Sequence, residues 1–147
     1  LIDDNAGDLG WFSEYGPEQT RPFRALKTWA TLSYLGRQGV TRLVEHTCGL
    51  ARRLAAMVEE APDFELLAPV ATSITAFRHT PRGEGDGGLD ALNRAIPGAV
   101  QARGNAFITG TRLGGRDALR ACFLHPDTTE DDLVILLEEI RLAAKTL

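Results

Sequence analysis

The sequence has only two cysteines, three histidines and no apolar run near the roughly 20 residues of a membrane span. Cys48 and Cys122 have no close cysteine partner, so neither a disulfide framework nor a four-cysteine zinc site is readable. Buried single thiols in a reducing cytoplasm are the expectation. The histidines are scattered. His46 has Leu50 rather than a second ligand four residues on, His79 ends an apolar stretch, and His125 precedes Pro126. No cluster of basic residues accompanies the formal charge of -4, which argues against nucleic acid or an anionic membrane as partner. A Gly-x-Ser-x-Gly elbow is lacking, and Ser13, Ser33 and Ser73 have no readable histidine partner. The glycine-rich stretch from Gly83 to Gly88 lacks a Gly-Lys-Ser/Thr ending and carries Glu84 and Asp86, so it reads as a surface loop rather than a phosphate cradle. Neither an initiator methionine nor a signal peptide opens the chain, and the loop-like first ten residues suggest a piece of something longer.

What is present is strong periodicity. Phe23, Leu26, Ala30 and Tyr34 recur at helical steps after Pro22, and Gly36 and Gly39 should break that helix. A second helix follows, with Val40, Leu43, Val44, Thr47, Cys48, Ala51, Leu54, Ala55 and Val58 on one stripe, ended by Pro62. The period then changes. Phe64 to Leu67 and Thr72 to His79 read as strands, and Leu89 to Ile96 as a brief helix stopped by Pro97 and Gly98. Ala106 to Arg112 and Ala118 to Leu124 read as a hairpin across Gly114 and Gly115. A last helix has Thr128 as expected N-cap, three acidic residues in its first turn, and Leu133, Leu136, Leu137, Ile140 and Ala144 facing inward. Two helices followed by β-β-α-β-β-α predict an α+β fold, a small and mostly antiparallel sheet covered by helices on one face.

Arg120 stands out within the hairpin. Leu119, Ala121 and Phe123 define one face of its strand, which leaves Arg120 on the other with the apolar Cys122 and Leu124. A guanidinium so placed takes an intradomain carboxylate, sits in solvent on an edge strand, or binds an anionic ligand. His125, at the strand exit, is the histidine to keep as a neighbour of any site there.

Two segments together resemble one family. Thr20-Arg21-Pro22-Phe23-Arg24-Ala25-Leu26-Lys27-Thr28-Trp29 is similar to the R-x-F-x-A-L-K-x-W signature of group II pyridoxal-phosphate-dependent amino-acid decarboxylases, whose members act on aromatic amino acids, histidine or glutamate. Leu119-Arg120-Ala121-Cys122-Phe123-Leu124-His125-Pro126-Asp127-Thr128-Thr129, with Leu136-Leu137-Glu138-Glu139-Ile140 after it, resembles that family's closing strand, turn and last helix. The resemblance covers nearly the whole chain from Gln19 onward.

The resemblance implies a homodimeric, cytoplasmic enzyme of fold type I. A large domain would bind pyridoxal phosphate, and a small carboxy-terminal domain would close the active site over an amino-acid substrate. Residues 1–20 would then be the remnant of a catalytic loop, 21–61 linking helices, and 62–147 the small domain. The cofactor needs a Schiff-base lysine, which in the family follows a histidine upstream of the first motif. Only Lys27 and Lys145 occur, the first inside the helix signature and the second in the final turn, so the chain alone should be inert. Arg120 matches an arginine that the glutamate-decarboxylase branch places near the substrate carboxylate. The family's loop tyrosine, which returns a proton after carbon dioxide leaves, falls on Phe12 by ungapped counting from Phe23, with Tyr15 three residues away. Tyr15 is the favoured donor, whereas Phe12 in that place would imply an aldehyde-forming reaction. Another fold-type-I enzyme, an aminotransferase or carbon–carbon lyase, and a free-standing binding module are the alternatives.

Overall fold

A computed structural model describes residues 15–17, 22–81 and 85–147. Phe12 lies outside them. Among the described residues no helix is long and apolar enough to cross a membrane. The chain divides into two compact units, one up to Arg37 and one from Gln38 onward.

The division falls inside α1 (Ala25–Glu60), which Gly36 interrupts with φ 61° and ψ 177°. That backbone region is open to glycine and strained for other residues. The expected break thus occurs at Gly36 alone. Gly39 is helical and buried. Before the break, Phe23, Trp29 and Tyr34 are exposed.

From Gln38 the second stretch of α1 leads into β1 (Phe64–Leu66), β2 (Ile74–His79), α2 (Asp86–Arg103), β3 (Thr109–Leu113), β4 (Arg116–Cys122) and α3 (Glu130–Ala144). The strands form one antiparallel sheet in the order β1-β2-β4-β3. The α+β order expected from the sequence is therefore present. Leu50, Leu54 and Val58 of α1, Ile96 and Val100 of α2, and Leu133, Leu137 and Ile140 of α3 bury one core with Phe77, Leu119, Ala121 and Phe123 of the sheet. Gly114 and Gly115, both at positive φ, join β3 to β4 in a two-residue turn whose twist suits a hairpin.

Four expectations need correction. The cysteines are not the buried thiols expected, since Cys122 is exposed and Cys48 is half-buried. The brief helix runs on through Pro97 and Gly98 to Arg103, where Gly104 caps it in the left-handed conformation. An interior proline ordinarily costs about 3 kcal/mol. Here Ile96 and Val100 are fully buried on either side of it, and the Pro97 ring lies against Gly110 of β3. Tertiary packing outweighs the local penalty. The N-cap of α3 is Thr129 rather than Thr128, because its partner in the capping box is Asp132. Val44 is exposed although it was placed on the apolar stripe of α1.

Asn93 supplies a feature the strand pattern could not show. Its side chain is fully buried, accepts from the backbone N–H of His79 at 2.8 Å and donates to the His79 carbonyl at 2.8 Å. The ladder between β2 and β4 reaches Phe77, and this amide then satisfies His79 as a further strand would.

Candidate functional site

β4 is an inner strand, with β2 on one side and β3 on the other, so Arg120 is not on a sheet edge. Leu119, Ala121 and Phe123 point into the core, which turns Arg120 and Cys122 to the face away from the helices. Directly opposite Arg120 are Ala76 on β2 and Thr109 on β3, and the Thr109 hydroxyl donates to the Arg120 carbonyl at 3.2 Å. Ile74 stands opposite Cys122. Small and apolar neighbours therefore surround the arginine on its own face.

Its charge is unmatched. Arg53, Arg78, Arg94, Arg103, Arg116 and Arg141 each pair with a carboxylate, whereas among the described residues Arg120, like the exposed Arg24, Arg37, Arg42, Arg52 and Arg112, enters no ion pair. It is exposed. Of the three settings open to it from sequence, the intradomain ion pair and the edge strand are both absent among the described residues. An exposed guanidinium in solvent on an inner strand is what remains.

Beyond Cys122 the chain turns at His125 and Pro126 toward α3. His125 Nδ1 accepts from the Asp127 N–H at 3.3 Å, and its carbonyl from the Thr128 N–H at 3.4 Å. The Thr128 carbonyl is tied back to α1 through His46 Nε2 at 2.9 Å. His46 thus fixes a turn. A cavity of about 330 Å³ opens between this turn, the segment after α2 and the start of α3, with Phe107, Cys122, Leu124, His125, Asp132 and Ile135 among its walls. Phe107 and Leu124 are both about three-quarters exposed at its rim.

The segment after α2 is pinned by Glu139. Its carboxylate accepts from Arg103 and from Asn105 Nδ2, and those hydrogen bonds, Arg103 first, hold it below the usual carboxylate range. Glu139 itself is buried. The Thr-Thr-Glu-Asp-Asp run from Thr128 was the one sequence signal for the turn and its cap.

The structure therefore brings His125 and Cys122 to one cavity, and places Arg120 on the same strand and face as Cys122, about 7 Å along the strand. Tyr15 is exposed and belongs to the other compact unit. Lys27 and Lys145 are both exposed.

No protein-family model matches the chain. It is similar to an aromatic-L-amino-acid decarboxylase of Bacillus atrophaeus, 27% identical over 135 residues, which cover 91% of this chain and 28% of that protein. It is similar to a phenylacetaldehyde synthase of Arabidopsis thaliana, 29% identical over 110 residues, or 75% of this chain and 22% of that protein. A solved structure from Vibrio parahaemolyticus has the same fold over 87% of this chain and 27% of its own, with a TM-score of 0.78 and 31% identity. That structure is the glutamate decarboxylase domain of diaminobutyrate-pyruvate transaminase and L-2,4-diaminobutyrate decarboxylase. The chain spans about a quarter of the length of the proteins it matches.

Proposed function

Because this chain belongs to the group II pyridoxal-phosphate-dependent amino-acid decarboxylases, we propose that it forms the closing, carboxy-terminal part of an enzyme that removes the α-carboxylate of an L-amino acid. The observation that carries the reading is the exposed Arg120 guanidinium, which enters no ion pair among the described residues and has Ala76 and Thr109 opposite it. In that reaction the bond from the α-carbon to the carboxylate breaks, carbon dioxide leaves, and a proton takes its place. Arg120 binds a carboxylate of the substrate by a charge-assisted hydrogen bond, and His125 stands at the mouth of the adjoining cavity.

The described residues do not fit pyridoxal phosphate as its sole holders. A Schiff-base lysine must lose its proton at neutral pH, which calls for burial or a neighbouring positive charge. Lys27 and Lys145 are both exposed. When bound, the cofactor supplies the electron sink for the pair of electrons left by carbon dioxide, and the lysine for it comes from residues outside this chain. The chain by itself is accordingly inert. In the same reading the enzyme is a cytoplasmic homodimer, its larger domain and second subunit completing the site.

Tyr15 is the proton donor we assign to the loop, with Phe12 as the rival for that position. The likeness to a phenylacetaldehyde synthase keeps the aldehyde-forming branch as the second reading. The polypeptide carrying this chain, assayed with cofactor and a panel of L-amino acids, should release carbon dioxide and the matching amine. Consumption of dioxygen and water, with aldehyde, ammonia and hydrogen peroxide formed in place of the amine, would select the second reading. Transamination without carbon dioxide would overturn both.

A further inference from the structure

We infer that the pocket between the end of β2 and the last turn of α3 binds a small oxyanion, a carboxylate or a phosphate, at a site separate from the Arg120 face. A cavity of about 310 Å³ opens there, lined by Asp63, His79, Pro81, Arg141, Ala144 and Lys145. Three of these side chains are basic and one is acidic. Among the described lining residues the one carboxylate is already engaged: Asp63 Oδ2 accepts from Arg141 Nε at 2.7 Å, and Oδ1 from Arg141 Nη2 at 2.9 Å. The guanidinium is held in turn over the Phe64 ring, 5.1 Å from its centroid.

What this pairing leaves over is positive. Lys145 enters no ion pair among the described residues. His79 is only 4% exposed and lies tilted against Phe64, with the ring centroids 4.9 Å apart. Its Nδ1 is sealed from solvent without a hydrogen-bond partner, 3.9 Å from Asp63 Oδ2. The imidazole lines the cavity together with Asp63, Arg141 and Lys145. A buried imidazole and a free ammonium at one small cavity make a two-point donor set for an oxyanion once the imidazole takes up a proton.

The end of α3 would ordinarily oppose an anion, because unpaired carbonyls there carry partial negative charge. Here the Arg141 carbonyl accepts from the Lys145 N–H, and the Ala143 carbonyl from both the N–H and the hydroxyl of Thr146. Glu138 acts electrostatically on Arg141 but is not among the cavity's lining. Burial holds the His79 ring below its ordinary titration range, with Asp63 opposing. An anion bound beside the ring favours its protonated form, so occupancy must raise the His79 midpoint.

The ring resonances of the three histidines, followed by NMR in the 147-residue chain against pH, test this. Inorganic phosphate and acetate serve as separate probes at ionic strength matched with sodium chloride. The expected result is a saturable rise of the His79 midpoint with one or both probes, while His46 and His125 follow the chloride control. Lys145→Gln should weaken that response about tenfold, the loss of one charge-assisted hydrogen bond. Response to acetate alone would identify a carboxylate site, and to phosphate alone a phosphate site. No rise beyond chloride, an equal shift of all three histidines, or a response unchanged by Lys145→Gln would overturn the assignment.

Discussion

Arg120 stands directly across the β2–β4 ladder from Ala76, so its charge emerges beside a methyl group where a carboxylate would have neutralised it. An arginine kept for stability alone would gain from a cross-strand acid at that position, by roughly 0.2–1 kcal/mol. The sheet forgoes that gain and leaves the guanidinium available.

Arg120→Gln should therefore leave folding almost untouched, with a change in unfolding free energy within about 0.5 kcal/mol for an exposed site. In the full-length enzyme the same change should lower kcat/KM by about 10- to 100-fold, the range for losing a hydrogen bond to a charged group. Ala76→Glu supplies the missing partner and should lower activity in the same direction without removing the arginine. Denaturant unfolding of the chain beside steady-state kinetics of the enzyme separates these effects. If Ala76→Glu leaves kcat/KM unchanged, Arg120 does not serve as the carboxylate anchor.

Asn93→Leu should destabilise the unit from Gln38 onward by about 2–5 kcal/mol, because it strands the buried N–H and carbonyl of His79. Urea denaturation followed by far-ultraviolet circular dichroism gives the value. A cost below about 1 kcal/mol would mean that these backbone groups find other partners.

Much of this arrangement was legible in the sequence. The inward positions of β4 alternate as Leu119, Ala121 and Phe123, and that alternation alone turned Arg120 to the opposite face. The stripe through Leu54 and Val58 and the one through Leu133, Leu137 and Ile140 both lie in the core as their spacing requires. Other features depend on residues far apart in the chain, and no local pattern carries them. Pro97 reads as a helix stop until Gly110 gives its ring a surface to rest on. Asn93 has no local signal, because its role is set by the end of β2, which needs an amide. Glu139 is buried because Arg103 and Asn105, more than thirty residues away, converge on it. Whether Arg120 was paired turned on the residue facing it from another strand, and for Phe12 and Tyr15 the loop register offers no periodicity to count by.

Gly110→Ala should be tolerated and mildly stabilising, by about 0.4–1 kcal/mol. Gly110 has no positive φ, and a Cβ there would meet Pro97 Cγ at 3.7 Å and the Ala118 carbonyl at 3.9 Å, both ordinary contacts. The gain comes from restricting the unfolded chain. A drop of more than about 1 kcal/mol in thermal or urea unfolding would show that the Pro97 ring sits closer to β3 than this spacing allows.

The pH dependence of stability should bear the mark of His79. Burial, the largest effect, lowers its pKa from the ordinary value near 6.5, Asp63 pulls it back in part, and Arg141 adds to the lowering. The unfolded chain therefore binds the proton more readily than the folded one. Stability is full above about pH 6.5, falls as pH drops from there toward the folded value, and the loss from this residue levels off below it. A second decline should follow in the carboxylate range, since Arg141 holds Asp63 and Arg103 holds Glu139 below their ordinary values, and protonating either breaks its pairing. Urea midpoints measured from about pH 8 down to about pH 3 should show these two steps. His79→Gln should flatten the upper step while leaving the lower one in place. If the upper step persists in that variant, the titrating group lies elsewhere in the chain.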